Sequence, residues 1–274
     1  MGSVLAQRLL TAGAEVRVWN RTPGHSEELA AQGALVAESV PDAMSGAVAV
    51  FTSLSGDEGV REVLLPGDRA RPELTGFLVD TSTVSPAISQ ALSDAYGVRF
   101  LAGPIAGAPP VLAAGHAQLL LAGPETTRNA LGPVLDAISD KQLVVGDDPP
   151  RAAVVKLLNN YLLLAGLAAL ADVVATGQSV GLTDEDLRRV LGSLPVISPG
   201  LAPRVDALLG REHPPAFTVA LGRKDLRLAS ALGRESGRSL GLLPAIVERY
   251  EQAAELGLDA RDISANVETL RRSV

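Results

Sequence analysis

Apolar residues fall at helical spacing from the start of the chain: Val4, Leu5, Leu9 and Leu10 mark one face, and Gly13 follows as a stop. The pattern changes to alternation over Glu15-Val16-Arg17-Val18-Trp19, which predicts a strand ending in Asn20-Arg21-Thr22-Pro23-Gly24. A helix over 27–32, a short strand at Leu35-Val36 and a helix over 41–45 come next. Residues 48–52 read as a continuous apolar strand of the kind buried in parallel sheets. A helix over 58–64 and a strand over 76–79 follow, and that strand runs into Asp80-Thr81-Ser82-Thr83-Val84-Ser85-Pro86. Strand alternating with helix at this rhythm predicts a parallel sheet covered on both faces.

The period then lengthens. Asp148 can cap a helix, and Pro149 and Pro150 fit its first turn. About 25 residues without internal proline follow, predicting a helix of roughly 40 Å that ends near Gly177 or Gly181. It is apolar nearly all round, which implies burial on most sides, part of it against a partner subunit. A homodimer or larger homo-oligomer is therefore expected. Lys156 and Asn160 are four apart and share one face, with Asn159 beside them. A lysine in so apolar a helix must reach water, pair with an acid, or work as an ammonium with a shifted pKa.

Past Gly181 no strand signal appears. Thr183-Asp184-Glu185-Asp186 starts a capped helix, and further helices are expected over 201–209, 218–233, 244–256 and from 262 onward. The chain thus divides into a sheet domain, residues 1–148, and an all-helical domain, residues 149–274, that begins with the long helix.

Composition narrows the class. The chain has 274 residues, 47% apolar and 3% aromatic, so the core is built of Ala, Leu and Val. With no cysteine, disulfides, thiolate metal sites and cysteine nucleophiles are excluded. His25, His116 and His213 lie far apart without ligand spacing, so they read as surface or loop residues and no metal is expected. A formal charge of −7 without a basic patch argues against nucleic acid. Asp172 interrupts the apolar run before it reaches membrane-spanning length, and no leader pattern precedes the fold, so no membrane role and a cytoplasmic location are expected.

In open parallel sheets ligands sit beyond the carboxyl ends of the strands. Those ends are Asn20-Arg21-Thr22, the Leu54-Ser55 loop and the run from Asp80 to Thr83. An acid after the second strand of a dinucleotide fold would hold a ribose 2′-hydroxyl; Asn20, Arg21 and Thr22 suit a 2′-phosphate, which favours NADP over NAD. Gly2 matches the last glycine of a Gly-x-Gly-x-x-Gly turn, whose strand and earlier glycines do not stand in this sequence. The expected fold is therefore α/β: a Rossmann-type doubly wound parallel sheet with its first strand missing, followed by an all-α C-terminal domain. A gap in the sheet and weak cofactor binding would follow from that missing strand.

Taken together these motifs resemble the β-hydroxyacid dehydrogenases, which include 3-hydroxyisobutyrate dehydrogenases and glyoxylate/succinic semialdehyde reductases. Met1-Gly2 resembles the tail of the family's cofactor turn, and Asp80 to Pro86 its Asp-x-Ser-Thr-x-x-Pro segment. Gly103-Pro104-Ile105-Ala106-Gly107-Ala108 is similar to the substrate-binding segment, and Lys156-Leu157-Leu158-Asn159-Asn160 to the catalytic helix. Phe217 and Lys224-Asp225-Leu226 match the late Phe and Lys-Asp-Leu motif. The resemblance implies Thr83 beside the nicotinamide, Lys224 on the cofactor, and Ser82, Gly107, Asn160, Phe217 and Asp225 around a small-molecule substrate. Two departures stand out. The family's carboxylate-binding serine falls at Ala106 and a glycine at Ala108, which removes a hydrogen bond of about 1.5–3 kcal/mol. The approach Gly146-Asp147-Asp148-Pro149-Pro150 also departs, and is similar to that of imine reductases.

The resemblance implies an NADP-dependent oxidoreductase that moves a hydride between nicotinamide and a small β-hydroxyacid or semialdehyde carbonyl. Lys156 is the expected general acid/base, because desolvation lowers an ammonium's pKa toward working pH. The alternatives are an imine reductase and a non-catalytic protein that keeps the cofactor fold.

Overall fold

A computed structural model of the chain describes residues 1–22, 24, 26–67 and 70–271, so Pro23, His25, Asp68, Arg69 and the last three residues lie outside the described set. The chain forms two compact units, Met1–Lys156 and Leu157–Val274.

The first unit is a helix-covered sheet in two pieces. After α1 (Gly2–Thr11), β1 (Arg17–Val18) pairs in parallel with β2 (Leu35–Val36), which lies beyond α2 (Glu27–Ala31). A separate six-stranded sheet has the order β3 (Ala49–Thr52), β4 (Phe77–Asp80), β5 (Phe100–Ala102), β7 (Gln118–Ala122), β6 (Ile105–Ala106), with β8 (Gln142–Gly146) also on β7. The expected gap is there: among the described residues β1 and β3 belong to different sheets. The expected all-parallel pairing holds for β3, β4 and β5 and for β7 with β8, but β7 runs antiparallel to both β5 and β6. The strands β5 to β8 are not among those expected from the sequence: Gly103-Pro104 splits β5 and β6 into fragments too short to show a period, whereas β7 and β8 each carry a continuous apolar run that signals a buried strand. The helices of this unit are α3 (Val40–Met44), α4 (Asp57–Leu64), α5 (Pro86–Tyr96), α6 (Pro109–Ala113) and α7 (Glu125–Ile138).

Period two within the strands sends alternate residues to opposite cores. Val79, Leu101 and Leu121 join Leu5, Leu9, Leu112, Leu131 and Leu135 on one face, while Leu78, Phe100 and Ala122 join Val60, Leu64, Ile88 and Leu92 on the other. Each such fully buried aliphatic contributes about 1.5–3 kcal/mol. Gly76 is required at the head of β4, since a Cβ there would come within 2.1 Å of the Val48 carbonyl. Helix ends are satisfied locally. Ser85 Oγ accepts from Ile88 N–H at 3.2 Å with Pro86 in the first turn of α5. At the other end of the unit, the Arg8 guanidinium donates to the last carbonyls of α7, Ala137 and Ile138.

The long helix α8 (Pro150–Ser179) starts in the first unit and continues into the second. It is long and apolar enough to cross a membrane by length and composition, yet Leu164, Leu167, Leu170, Ala171 and Val174 sit in the core of the second unit. Burial is expected on most sides, with part of the helix left for a partner subunit, and within the single chain one face is uncovered. Leu158, Leu162, Ala169 and Val173 are exposed, and their steps of 4, 7 and 4 residues keep them on one face of a 3.6-residue helix.

The second unit is helical, with α9 (Asp184–Ser193), α10 (Val205–Leu209), α11 (Val219–Glu235), α12 (Leu243–Glu255) and α13 (Glu268–Arg271). Thr183 and Asp186 form a reciprocal capping box at α9, and Thr218 caps α11 through Leu221 N–H. The helix expected from 262 onward is instead a 3₁₀ segment, Ile263–Val267, followed by α13. Asp262 Oδ1 accepts from Ser264 N–H and Asn266 Nδ2 donates to the Ile263 carbonyl, and these side-chain bonds hold the tighter turn.

Candidate active site

In the first unit the carboxyl ends of β3 and β4 are tied together by one buried carboxylate. Asp80 Oδ1 accepts from Thr52 Oγ1 at 2.7 Å and from Ser82 N–H at 3.1 Å, the second bond making an Asx turn. Ser82 Oγ in turn accepts from Leu54 N–H at 2.9 Å, and Thr81 Oγ1 donates to the Thr52 carbonyl at 2.6 Å. Asp57 Oδ1 accepts from Ser85 N–H at 2.8 Å, fixing the start of α4 against the approach to α5. The loops carrying Leu54, Ser55, Ser82 and Thr83 are thereby one rigid ledge. Ser55 is exposed on it, Leu54 and Thr83 are half-buried, and Ser82 is buried. Sequence reasoning named Ser82 and Thr83 but missed Thr52 and Asp80 as the pair that positions them; the signal was the Asp-x-Ser spacing of the Asx turn.

Gly2 opens α1 beside this ledge, where a Cβ would come 3.3 Å from Ser53 Cβ. The Met1 side chain, at the N-cap, makes no hydrogen bond to the first turn of α1. Its amides therefore suit an anion at the carboxyl end of β3, and the residues present fit the phosphates of a dinucleotide. On the loop after β1, Asn20, Arg21 and Thr22 are exposed, and Asn20 Nδ2 donates to the Thr22 carbonyl at 3.0 Å. Gly107 is exposed at φ +156°, and a Cβ there would lie 2.9 Å from that of Ala117. Only glycine leaves this backbone open to approach. Lys156 closes the unit on α8, only 8% exposed.

The second unit holds the other residues singled out in the sequence. Asn160 and Asp225 are both buried, and Asn160 Nδ2 donates to Asp225 Oδ2 at 2.6 Å. The Lys224 ammonium lies 2.9 Å from the other oxygen of Asp225, close enough to pair although not aligned as a hydrogen bond. Asn159 is exposed and donates to Asn160 Oδ1 at 3.0 Å, which fixes the flip of the Asn160 amide. Phe217 is half-buried against the helical core, its N–H held by Asp262 Oδ2 at 3.0 Å. The late motif and the catalytic-helix motif, 65 residues apart, therefore meet in one hydrogen-bonded set.

Comparison with known proteins matches nearly the whole chain. A family model described as the NAD binding domain of 6-phosphogluconate dehydrogenase matches residues 1–146. A second, described as NAD-binding of NADP-dependent 3-hydroxyisobutyrate dehydrogenase, matches residues 151–270. Glyoxylate/succinic semialdehyde reductase 1 of Arabidopsis thaliana is 27% identical over 100% of this chain and 96% of its own length. The probable 3-hydroxyisobutyrate dehydrogenase of Mycobacterium tuberculosis is 29% identical over 99% of this chain and 95% of its own. The crystal structure of a 3-hydroxyisobutyrate dehydrogenase from Salmonella typhimurium shares the fold, with a TM-score of 0.89 at 23% identity over 97% of this chain and 95% of that one.

Proposed function

Because the chain belongs to the β-hydroxyacid dehydrogenase family, as an NAD(P)-dependent oxidoreductase acting on CH–OH groups, we propose that it uses NADP in preference to NAD to interconvert a small β-hydroxyacid and its semialdehyde, with Lys156 as general acid/base. The observation that carries this reading is the burial of Lys156, at 8% exposure, on α8. An ammonium held out of water is costly, and a fold keeps one where it is paired or where it moves a proton.

The bound nicotinamide supplies or accepts the hydride. Lys156 Nζ gives a proton to the carbonyl oxygen during reduction and takes it back during oxidation. Asn160, one turn further along α8 and fixed by Asp225, orients the substrate oxygen or the lysine. The Gly107 backbone and the Ser82 hydroxyl offer donors to the polar end of the substrate, and Phe217 borders its apolar side. Leu54, Ser55 and Thr83 line the cofactor, Lys224 offsets its charge, and Arg21 with Asn20 and Thr22 receives the 2′-phosphate. Gly2 lets the pyrophosphate approach the amides of α1. Residues 1–148 are the cofactor domain in this reading and 149–274 the helical domain. The exposed stripe on α8 seats a second copy of the chain, and the enzyme works in the cytoplasm.

Oxidation of NADPH and of NADH is the test, with succinic semialdehyde, glyoxylate and a cyclic imine as substrates. Turnover of an aldehyde with NADPH favoured supports the proposal. Turnover of the imine alone replaces it with imine reduction, and no turnover by the folded protein leaves a non-catalytic cofactor fold.

A further inference from the structure

Arg21 already has a carboxylate on it. Its Nη1 lies 3.0 Å from Glu62 Oε2, with the two side chains 72% and 54% exposed. Arg21 stands in the loop after β1, and Glu62 in the last two turns of α4, 41 residues later. Neither side is free to drift far. The loop is closed by the Asn20 to Thr22 bond, and α4 is anchored by Val60 and Leu64 in the core and by Asp57 on Ser85 N–H.

We infer that Glu62 is a specificity-determining residue, an anion that competes for Arg21 and opposes any dinucleotide carrying a 2′-phosphate. The inference rests on the proposed assignment of Arg21 to that phosphate. An exposed ion pair is weak, so a phosphate carrying about two charges takes the guanidinium from a single carboxylate. With its helix pinned, the Glu62 backbone stays beside the loop, so a negative charge remains near the incoming phosphate even after the carboxylate turns off the guanidinium. Two like charges about 5 Å apart in water lower affinity about fourfold for each unit of phosphate charge. An unphosphorylated ribose meets no such opposition. Glu62 therefore narrows the preference for NADP that Arg21 creates and holds the protein open to both cofactors.

The test is calorimetric titration of 2′,5′-ADP and of 5′-ADP into the full chain and into its Glu62→Gln, Arg21→Ala and doubly substituted forms. Glu62→Gln is expected to tighten 2′,5′-ADP about three- to tenfold and leave 5′-ADP unchanged. That gain should shrink as salt rises from about 0.05 to 0.5 M, through screening of exposed charges. It should also shrink in the Arg21→Ala background, where only the direct repulsion is left and the competition for the guanidinium is gone. Equal gains for both ligands, or none, overturn the role of Glu62 while Arg21→Ala still weakens 2′,5′-ADP selectively. If Arg21→Ala makes no difference to either ligand, the assignment of Arg21 fails and the inference falls with it.

Discussion

The Asn160 amide donates to the Asp225 carboxylate at 2.6 Å, joining α8 to α11 between two buried side chains. An asparagine amide has free torsion at its end, and a buried carboxylate fixes both its position and its flip. In the proposed reaction Asp225 is a positioning residue whose effect on chemistry passes through Asn160.

Asp225→Ala should lower kcat/KM about 10- to 100-fold, the equivalent of a charge-assisted hydrogen bond of about 1.5–3 kcal/mol. Asp225→Asn, which keeps an acceptor in the same place, should recover part of the loss. Steady-state kinetics beside circular dichroism separates this from simple unfolding. Equal losses in both variants would argue against positioning.

His213 reads from the sequence as a surface or loop residue, yet it is buried in the second unit. Its Nδ1 meets Ser264 Oγ at 3.0 Å and its Nε2 meets Glu268 Oε1 at 3.4 Å. Glu268 also takes Arg271 Nη1 at 2.6 Å, and Arg271 donates to the carbonyls of Leu208, Leu209 and Gly210. Burial pushes the His213 pKa below its ordinary 6.5, against the opposing pull of Glu268. Burial resists ionisation of Glu268 too, but the Arg271 hydrogen bond and charge hold its carboxyl below the usual range. The unfolded chain thus binds the histidine proton more readily than the folded one. The stabilisation from His213 is full above about pH 6.5 and is lost as pH falls below it. Thermal melts from pH 8 to pH 5 should show a decline that flattens in His213→Gln. Parallel curves for the two proteins would remove His213 as the cause.

Leu162 and Val173 are 70% and 51% exposed in the middle of the α8 stripe. Pairing two copies through this face hides the stripe, and a two-fold interface needs only one self-complementary patch. Light scattering at micromolar concentration should give a dimer or larger mass for the natural chain. Leu162→Glu, which places a charge in the patch, should give the monomer with an unchanged fold. A monomeric natural chain would count against the assembly.

Local signals carried the helix starts. Ser85-Pro86, Thr183 with Asp186, and Thr218 each satisfy amides within three residues of themselves, so a short window suffices to read them. β5 and β6 were illegible because they are fragments of three and two residues, held by an antiparallel partner, β7, that lies a dozen or more residues later. The site divides the same way. Lys156, Asn160 and the Asp80 to Thr83 run stand out by residue type and spacing. The pairing of Arg21 with Glu62 and of Asn160 with Asp225 depends on which elements the fold brings together, and no local pattern holds that information. The Asp80–Thr52 bond is likewise a contact between neighbouring strands, visible only once β3 and β4 are in register.

Proton transfer by Lys156 is tested most directly by its removal. Single-turnover reduction of the best aldehyde substrate by NADPH should slow about 10²- to 10⁴-fold in Lys156→Ala, the range for loss of a positioned general acid. The dissociation constant for NADPH, followed by its fluorescence, should stay within about twofold, the criterion that separates lost chemistry from lost binding. A Lys156→Ala protein that reduces the aldehyde at the natural rate would contradict the assignment outright.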